Sequence, residues 1–205
     1  SFVNAAFATG GIYILLATST AILPLTVAVP LQTVFTFGSL LARVGFFWSF
    51  ICWPIVAAFA LGSIIGVYFG TRIFTDLPEQ AIAFALGALL LLLIWFPSVR
   101  WKIRFRHPFF LLGGVHSMIS TVLGLGALLQ PLILRTELSK LQITGTLAGC
   151  LIMMETMKFI GYVATGFRYQ DFIPHIVLAT LAGLAGTWAG KRVTHRVSER
   201  LFRLV

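Results

Sequence analysis

Charge is what this sequence has least of. Only 10% of its residues are Asp, Glu, Lys or Arg, and just six of its 205 residues are acidic. A water-soluble domain needs a charged exterior, and a chain that is 59% apolar with a mean hydropathy of +0.97 cannot supply one. The few carboxylates offer no pair at a spacing useful for acid–base hydrolysis, and neither a G-x-S-x-G elbow nor an H-E-x-x-H motif occurs. An intramembrane enzyme is therefore disfavoured, and no cofactor is expected. The two cysteines, Cys52 and Cys150, lie far apart without C-x-x-C or Cys/His spacing. Neither a disulfide framework nor a metal site follows from them.

Long apolar runs are what is present. A spanning helix needs about 20 mostly apolar residues, and most of the chain falls into such stretches between short polar loops. The Lys and Arg residues, Lys158 excepted, sit at the ends of these stretches. Positive-inside topology accounts for them better than a nucleic-acid surface, so nucleic acid is not an expected partner and the lipid bilayer is. The opening SFVNAAFATGG has no Met, basic n-region or A-x-A site. It does not begin like a signal peptide, and the chain is expected to be a piece whose start is missing.

Apolar length and breaker residues give a first segment from Phe2 to Leu23, interrupted at Thr9, Gly10 and Gly11. Further segments run from Leu31 to Phe47, Pro54 to Gly70 and Ala81 to Phe96, ending at the basic loop SVRWKIRFRHP. The order then repeats: Phe109 to Leu134 broken at LGLGALLQP, Leu141 to Val163, Phe172 to Ala189, and Leu201 onward. Direct comparison supports duplication. At an offset of 120, Gly66, Gly70, Arg72 and Glu79 fall on Gly186, Gly190, Arg192 and Glu199, and Gly11 falls on Gly126 at a shorter offset. Small-xxx-small spacing alone arises in any packed membrane helix, but the Arg and Glu matches lie beyond it. By this match the last helix is mostly absent after Val205.

Charge counting then chooses between two topologies. If every segment crosses and the basic loop is cytoplasmic, eight basic residues lie outside against six inside. If the glycine-broken segments enter and return on one side, twelve lie inside and only Arg72 and Arg168 outside. Only the second arrangement obeys the positive-inside rule. It leaves three crossings per half, an odd number, so the halves are inverted.

The expected fold is therefore an all-α polytopic integral membrane protein of two inverted repeats, residues 1–97 and 109–205, joined by a basic cytoplasmic linker, 98–108. Each repeat has a Gly-broken re-entrant hairpin and about three transmembrane helices, the last truncated. Half-helices of roughly 11 to 15 residues would bring both breaks to the midplane. Irregular backbone at that depth is tolerated only inside protein or beside a water-filled cavity. Inverted repeats with broken helices characterise secondary transporters. Free N–H groups at the start of each second half-helix favour an anion as substrate.

These residues resemble the sulfite exporter TauE/SafE family over nearly the whole chain. The similarity lies in FVNAAFATGG followed by AVPLQTVFTFGSLLAR (Ala28 to Arg43), in GGVHSMISTVLGLGALLQPLIL, in LSKLQITGTLAGCLIMMETMKFIGY and in the terminal GTWAGKRVTHRVSERLFR. In the first repeat Leu16 stands where the second keeps Pro131. The resemblance implies a transporter of sulfite, sulfonates or other small sulfur-containing anions and carboxylates in a plasma (inner) membrane.

Polar residues inside spans are costly unless paired or lining a cavity, which makes them the site candidates. Thr9, Gly10, Gly11, Gly124 and Gly126 are the breaks themselves. His116, two turns before Gly124, could bond an anion or carry a proton, or be a packed neutral histidine. Gln130 follows the second break by a turn and could donate to substrate or satisfy freed carbonyls. Gln32, Thr33, Thr144 and Thr146 stand near the starts of the helices after the breaks, where uncharged donors suit an anion that must later leave. Glu155 and Lys158, three apart, form a structural pair or, through Glu155, a proton site. Alternating access is the expected mechanism, with a passive anion channel as its rival. A homodimer stays open.

Overall fold

The computed structural model describes residues 16, 18–95, 108–125, 129–134 and 136–194, and every regular element among them is helical. Helix α1 is Leu25–Phe46, α2 Trp53–Asp76, α3 Glu79–Trp95, α4 Pro108–Leu123, α5 Leu129–Ile133, α6 Lys140–Ala164 and α7 Ile173–Thr194. Short 3-10 turns at Trp48–Phe50 and Tyr169–Phe172 follow α1 and α6. Helices α1, α2 and α6 are long and apolar enough to cross a membrane. At 22, 24 and 25 residues they measure roughly 33 to 38 Å.

The sequence explains where these helices begin and stop. Pro54 sits in the first turn of α2, where its missing N–H costs nothing. Pro78 ends the stretch after Asp76, and Glu79 then opens α3 with its charge at the positive end of the helix. Its carboxylate also accepts from the N–H of Leu25 at 2.7 Å, so one acid serves the N-termini of two helices. Ser139 and Gln142 form a reciprocal capping box that starts α6.

Several boundaries differ from the sequence reading: α2 runs on to Asp76 instead of Gly70, and α7 to Thr194 instead of Ala189. Helix α1 starts at Leu25, not Leu31, and carries Pro30 in its interior. A proline loses one helical bond there, which neighbouring groups make tolerable in a membrane helix. The broken segment is also asymmetric: its first arm, α4, has 16 residues, and its second, α5, has five.

Packing fixes the directions of the helices. Phe59 of α2 meets Gly113 of α4, Gly66 meets Gly114 and Met118, and Gly70 meets Thr121, so α2 and α4 run parallel. Gly149 of α6 faces Val56, and Gly161 faces Val67 and Thr71, so α6 is parallel to α2 as well. Helix α1 is antiparallel to α6, because Phe47 touches Gly145 while Val29 shares a cluster with Tyr162. In addition, α1 packs on α7.

The buried apolar side chains form two clusters. One, the near cluster, contains Ile51, Val56, Phe59, Leu112, Ile143 and Met154. The other contains Val29, Phe74, Val122, Leu125, Tyr162 and Tyr169. Large apolar side chains also cover the outside, among them Leu61, Ile64, Ile65 and Phe69 of α2, Phe84 and Leu91 of α3, and Leu178 of α7. Trp48 and Trp53, edge to face at 4.9 Å, are exposed at the corner between α1 and α2, as interfacial aromatics are. Such an exterior is stable in lipid and not in water.

Candidate functional site

Between the two apolar clusters lies a layer of buried polar side chains. Helix α4 contributes His116, Ser117, Ser120 and Thr121, α2 contributes Ser63, and α6 contributes Glu155 and Lys158. On α4 these residues continue the spacing of Gly113 and Gly124, three and four apart along one face. Close approach of the backbones makes the layer dense. A methyl group added at Gly62, Gly66 or Gly113 would overlap main-chain atoms across the α2–α4 seam. Only small residues allow such an approach, and it brings Ser117 Oγ within 2.8 Å of Ser63 Oγ, to which it donates.

Lys158, 1% exposed, carries its ammonium 3.1 Å from Oε2 of Glu155, itself 3% exposed, and 3.4 Å from Ser120 Oγ. The two charges neutralise each other one helical turn apart, and the serine ties them to α4. Within the cluster that holds Val29 and Phe74, Tyr162 donates its hydroxyl to the carbonyl of Thr121 at 2.5 Å. In the connection after α6, Tyr169 donates to the carbonyl of Pro30 at 3.2 Å. Burial, and then the charge of Glu155, push its phenol above the ordinary tyrosine range, so it remains a donor.

Helix α4 ends at Gly124, whose φ of 72° is left-handed and whose N–H still bonds Ser120 O at 3.0 Å. Beyond the turn the chain doubles back. The N–H of Leu129, first residue of α5, donates to Nδ1 of His116 at 3.2 Å, and Ile133 joins the near cluster beside Leu112. The sequence reading left the first amides of the second arm bare; here the N–H of Leu129 is taken by the imidazole. Because Nδ1 accepts, the ring is the neutral tautomer with its proton on Nε2. That nitrogen is buried, in a ring 1% exposed, and has no hydrogen-bond partner among the described residues. Phe59 holds the ring edge to face at 5.7 Å.

The remaining candidates divide. Gln32 and Thr33 are buried on α1, and a methyl group on Gly124 would lie 2.8 Å from Oε1 of Gln32, so this glutamine abuts the break. Thr33 Oγ1 has no hydrogen-bond partner among the described residues. Gln130 is half-buried on α5. Thr144 donates to the carbonyl of Lys140 within its own helix at 2.9 Å. Thr146 accepts from the N–H of Cys52 at 3.0 Å and so caps the start of α2. Thr9, Gly10, Gly11 and Gly126 lie outside the described residues. Ser63, Ser117 and Ser120 were passed over in the sequence, although a polar stripe of helical period through apolar α4 marks them.

A broken apolar helix with a buried polar layer, inside a bundle that turns apolar side chains outward, defines a polytopic membrane protein of the transport class. The family described as Sulfite exporter TauE/SafE matches the chain over residues 1–205, its whole length, and the chain belongs to that family. It is a membrane transport protein of the sulfite exporter kind. No curated protein and no solved structure matches it.

Proposed function

We propose that this protein moves sulfite, an organosulfonate or a related small sulfur-containing anion or carboxylate across the plasma membrane by alternating access. In this reading residues 1–97 and 109–205 are inverted repeats that rock about a central site, with 98–108 as the cytoplasmic linker.

Several observations support the repeat. Both halves contain a long helix, a 3-10 turn and a second helix in that order. Exchanging α1 with α6 and α2 with α7 turns the α1–α7 contact into the α6–α2 contact, and α1 and α6 pack on each other as helices beside a two-fold axis would. Re-entry of the second hairpin has its own support. Helices α4 and α6 both run parallel to α2, so both begin at one face and the chain between them must return to it. Twelve basic residues then fall on the cytoplasmic side.

The site rests on one observation above all: the Nε2–H of His116, a buried donor in the ring that holds the start of α5, with no partner among the described residues. A buried donor left unpaired costs about 1–3 kcal/mol, which an anion accepting its hydrogen bond would offset. Gln32, Thr33 and Gln130 are neighbours from which further donors can reach the break, and Glu155 and His116 are the groups through which a proton could be coupled. Because His116 is a neutral donor, the anion is held without a fixed counter-charge at this point and can leave again.

Proteoliposomes loaded with sulfite, sulfoacetate, thiosulfate or a carboxylate under imposed proton gradients test the reading. Saturable flux with counterflow is expected for one or more of them. Flux that rises linearly without counterflow would support the channel instead, and no flux of any anion would refute transport. His116→Ala should lower flux at least tenfold, on the order of the one lost hydrogen bond to a charged group, while the protein stays folded.

A further inference from the structure

The offset of 115 that places Gly11 on Gly126 also places Arg43 on Lys158. Both are buried cations, 4% and 1% exposed, on the paired helices α1 and α6. Their surroundings differ in one respect. Lys158 has Glu155 as counter-ion, whereas the same offset puts Leu40, an apolar core residue, in the place of Glu155 beside Arg43. Neither ion pair among the described residues involves Arg43, and its Nε and Nη2 are buried without a hydrogen-bond partner among them.

Those two nitrogens form one side-on edge of the guanidinium, from which two N–H bonds project in parallel. That edge matches two oxygens of one oxyanion. Arginine cannot shed its charge, so the helix end must carry a full cation in a desolvated place. The C-terminal dipole of α1 offsets part of its cost, but supplies no acceptor to the two donors, which have none among the described residues.

We infer that Arg43 is an anion-binding residue, its Nε–Nη2 edge taking two oxygens of a sulfite or sulfonate group. The inference rests on the transporter reading above and deepens it. The second repeat keeps its equivalent cation silent with an internal carboxylate, while the first leaves its cation to the cargo. Arg43 lies near the end of α1 that adjoins the start of α6, on the side where Val44 packs into the near cluster, away from Gly124. It is therefore a second station on the route, separate from His116.

Arg43→Lys keeps the charge and loses the parallel edge; Arg43→Gln loses both. Sulfite and methanesulfonate flux into proteoliposomes, with equilibrium binding of each to purified protein in detergent, should give a KM and Kd raised about tenfold for the lysine variant at nearly unchanged maximal rate. The glutamine variant should be weaker still. Wild-type flux with unchanged KM and Kd in both variants overturns the inference while leaving transport intact. Wild-type protein that moves and binds no anion overturns both. If neither variant is recovered as folded, monodisperse protein, Arg43 holds the bundle together and the inference falls.

Discussion

Replacing Glu155 by Gln is the sharpest perturbation of the polar layer. The substitution keeps the volume of the side chain and one acceptor oxygen, but strips the charge that sits 3.1 Å from the ammonium of Lys158. Lys158 is then left 1% exposed, with Ser120 Oγ of α4 at 3.4 Å to accept from it. Removing one partner of a buried pair costs about 3–5 kcal/mol, because the survivor keeps its desolvation penalty and loses the attraction that offset it. Replacing both, as in Glu155→Met with Lys158→Met, removes penalty and attraction together and should be neutral or stabilising by about 1–4 kcal/mol. Glu155→Met, Lys158→Met and the double therefore form a cycle with a coupling of at least about 3 kcal/mol. Unfolding in detergent, followed by helical circular dichroism against denaturant, measures it. Single-variant losses that simply add up in the double would refute the argument that the charges hold each other in place. Sulfite flux in the double variant adds a second reading. Retained flux assigns the pair to the scaffold, and flux lost at full stability assigns it to coupling.

Two further outcomes follow from the backbone. Gly66→Ala must push α2 from α4, since its methyl would collide with the main chain of Gly114; a loss of about 1–3 kcal/mol is expected, whereas Gly87→Ala on α3, with open space around it, should change thermal stability little. Gly124→Ala sets a side chain at a φ of 72°, costing about 1–2 kcal/mol, and places a methyl 2.8 Å from Oε1 of Gln32, so both the melting temperature and sulfite flux should fall.

Membrane residence was legible in the apolar runs, and family membership in the order of motifs around two glycine breaks. The turn at Gly124 was visible because glycine interrupts an apolar run where nothing else would. The start of α1 was not, because Pro30 reads as a breaker by local rules and only neighbouring helices make it tolerable. Arg43 was counted as one more basic residue at the end of a span. A charge within a turn of a helix end has the same spelling whether it reaches headgroups or turns inward, and the neighbour α6 decides which. For the same reason Ser63, Ser117 and Ser120 were overlooked: serine is common in membrane helices, and only the approach of α2 to α4 sets one hydroxyl against the other. Glu155 and Lys158 were paired from spacing alone, since three residues apart on a helix is contact distance wherever the helix lies.

The glycine seam between α2 and α4 has a mechanical consequence. Side chains that slide past one another need a cushion of rotatable bonds, and here Gly62, Gly66 and Gly113 leave main chain bearing on main chain. Such a joint has no slack to shear. In the rocking motion proposed above, this helix couple would move as one stiff lever, with the bending left to joints elsewhere in the bundle.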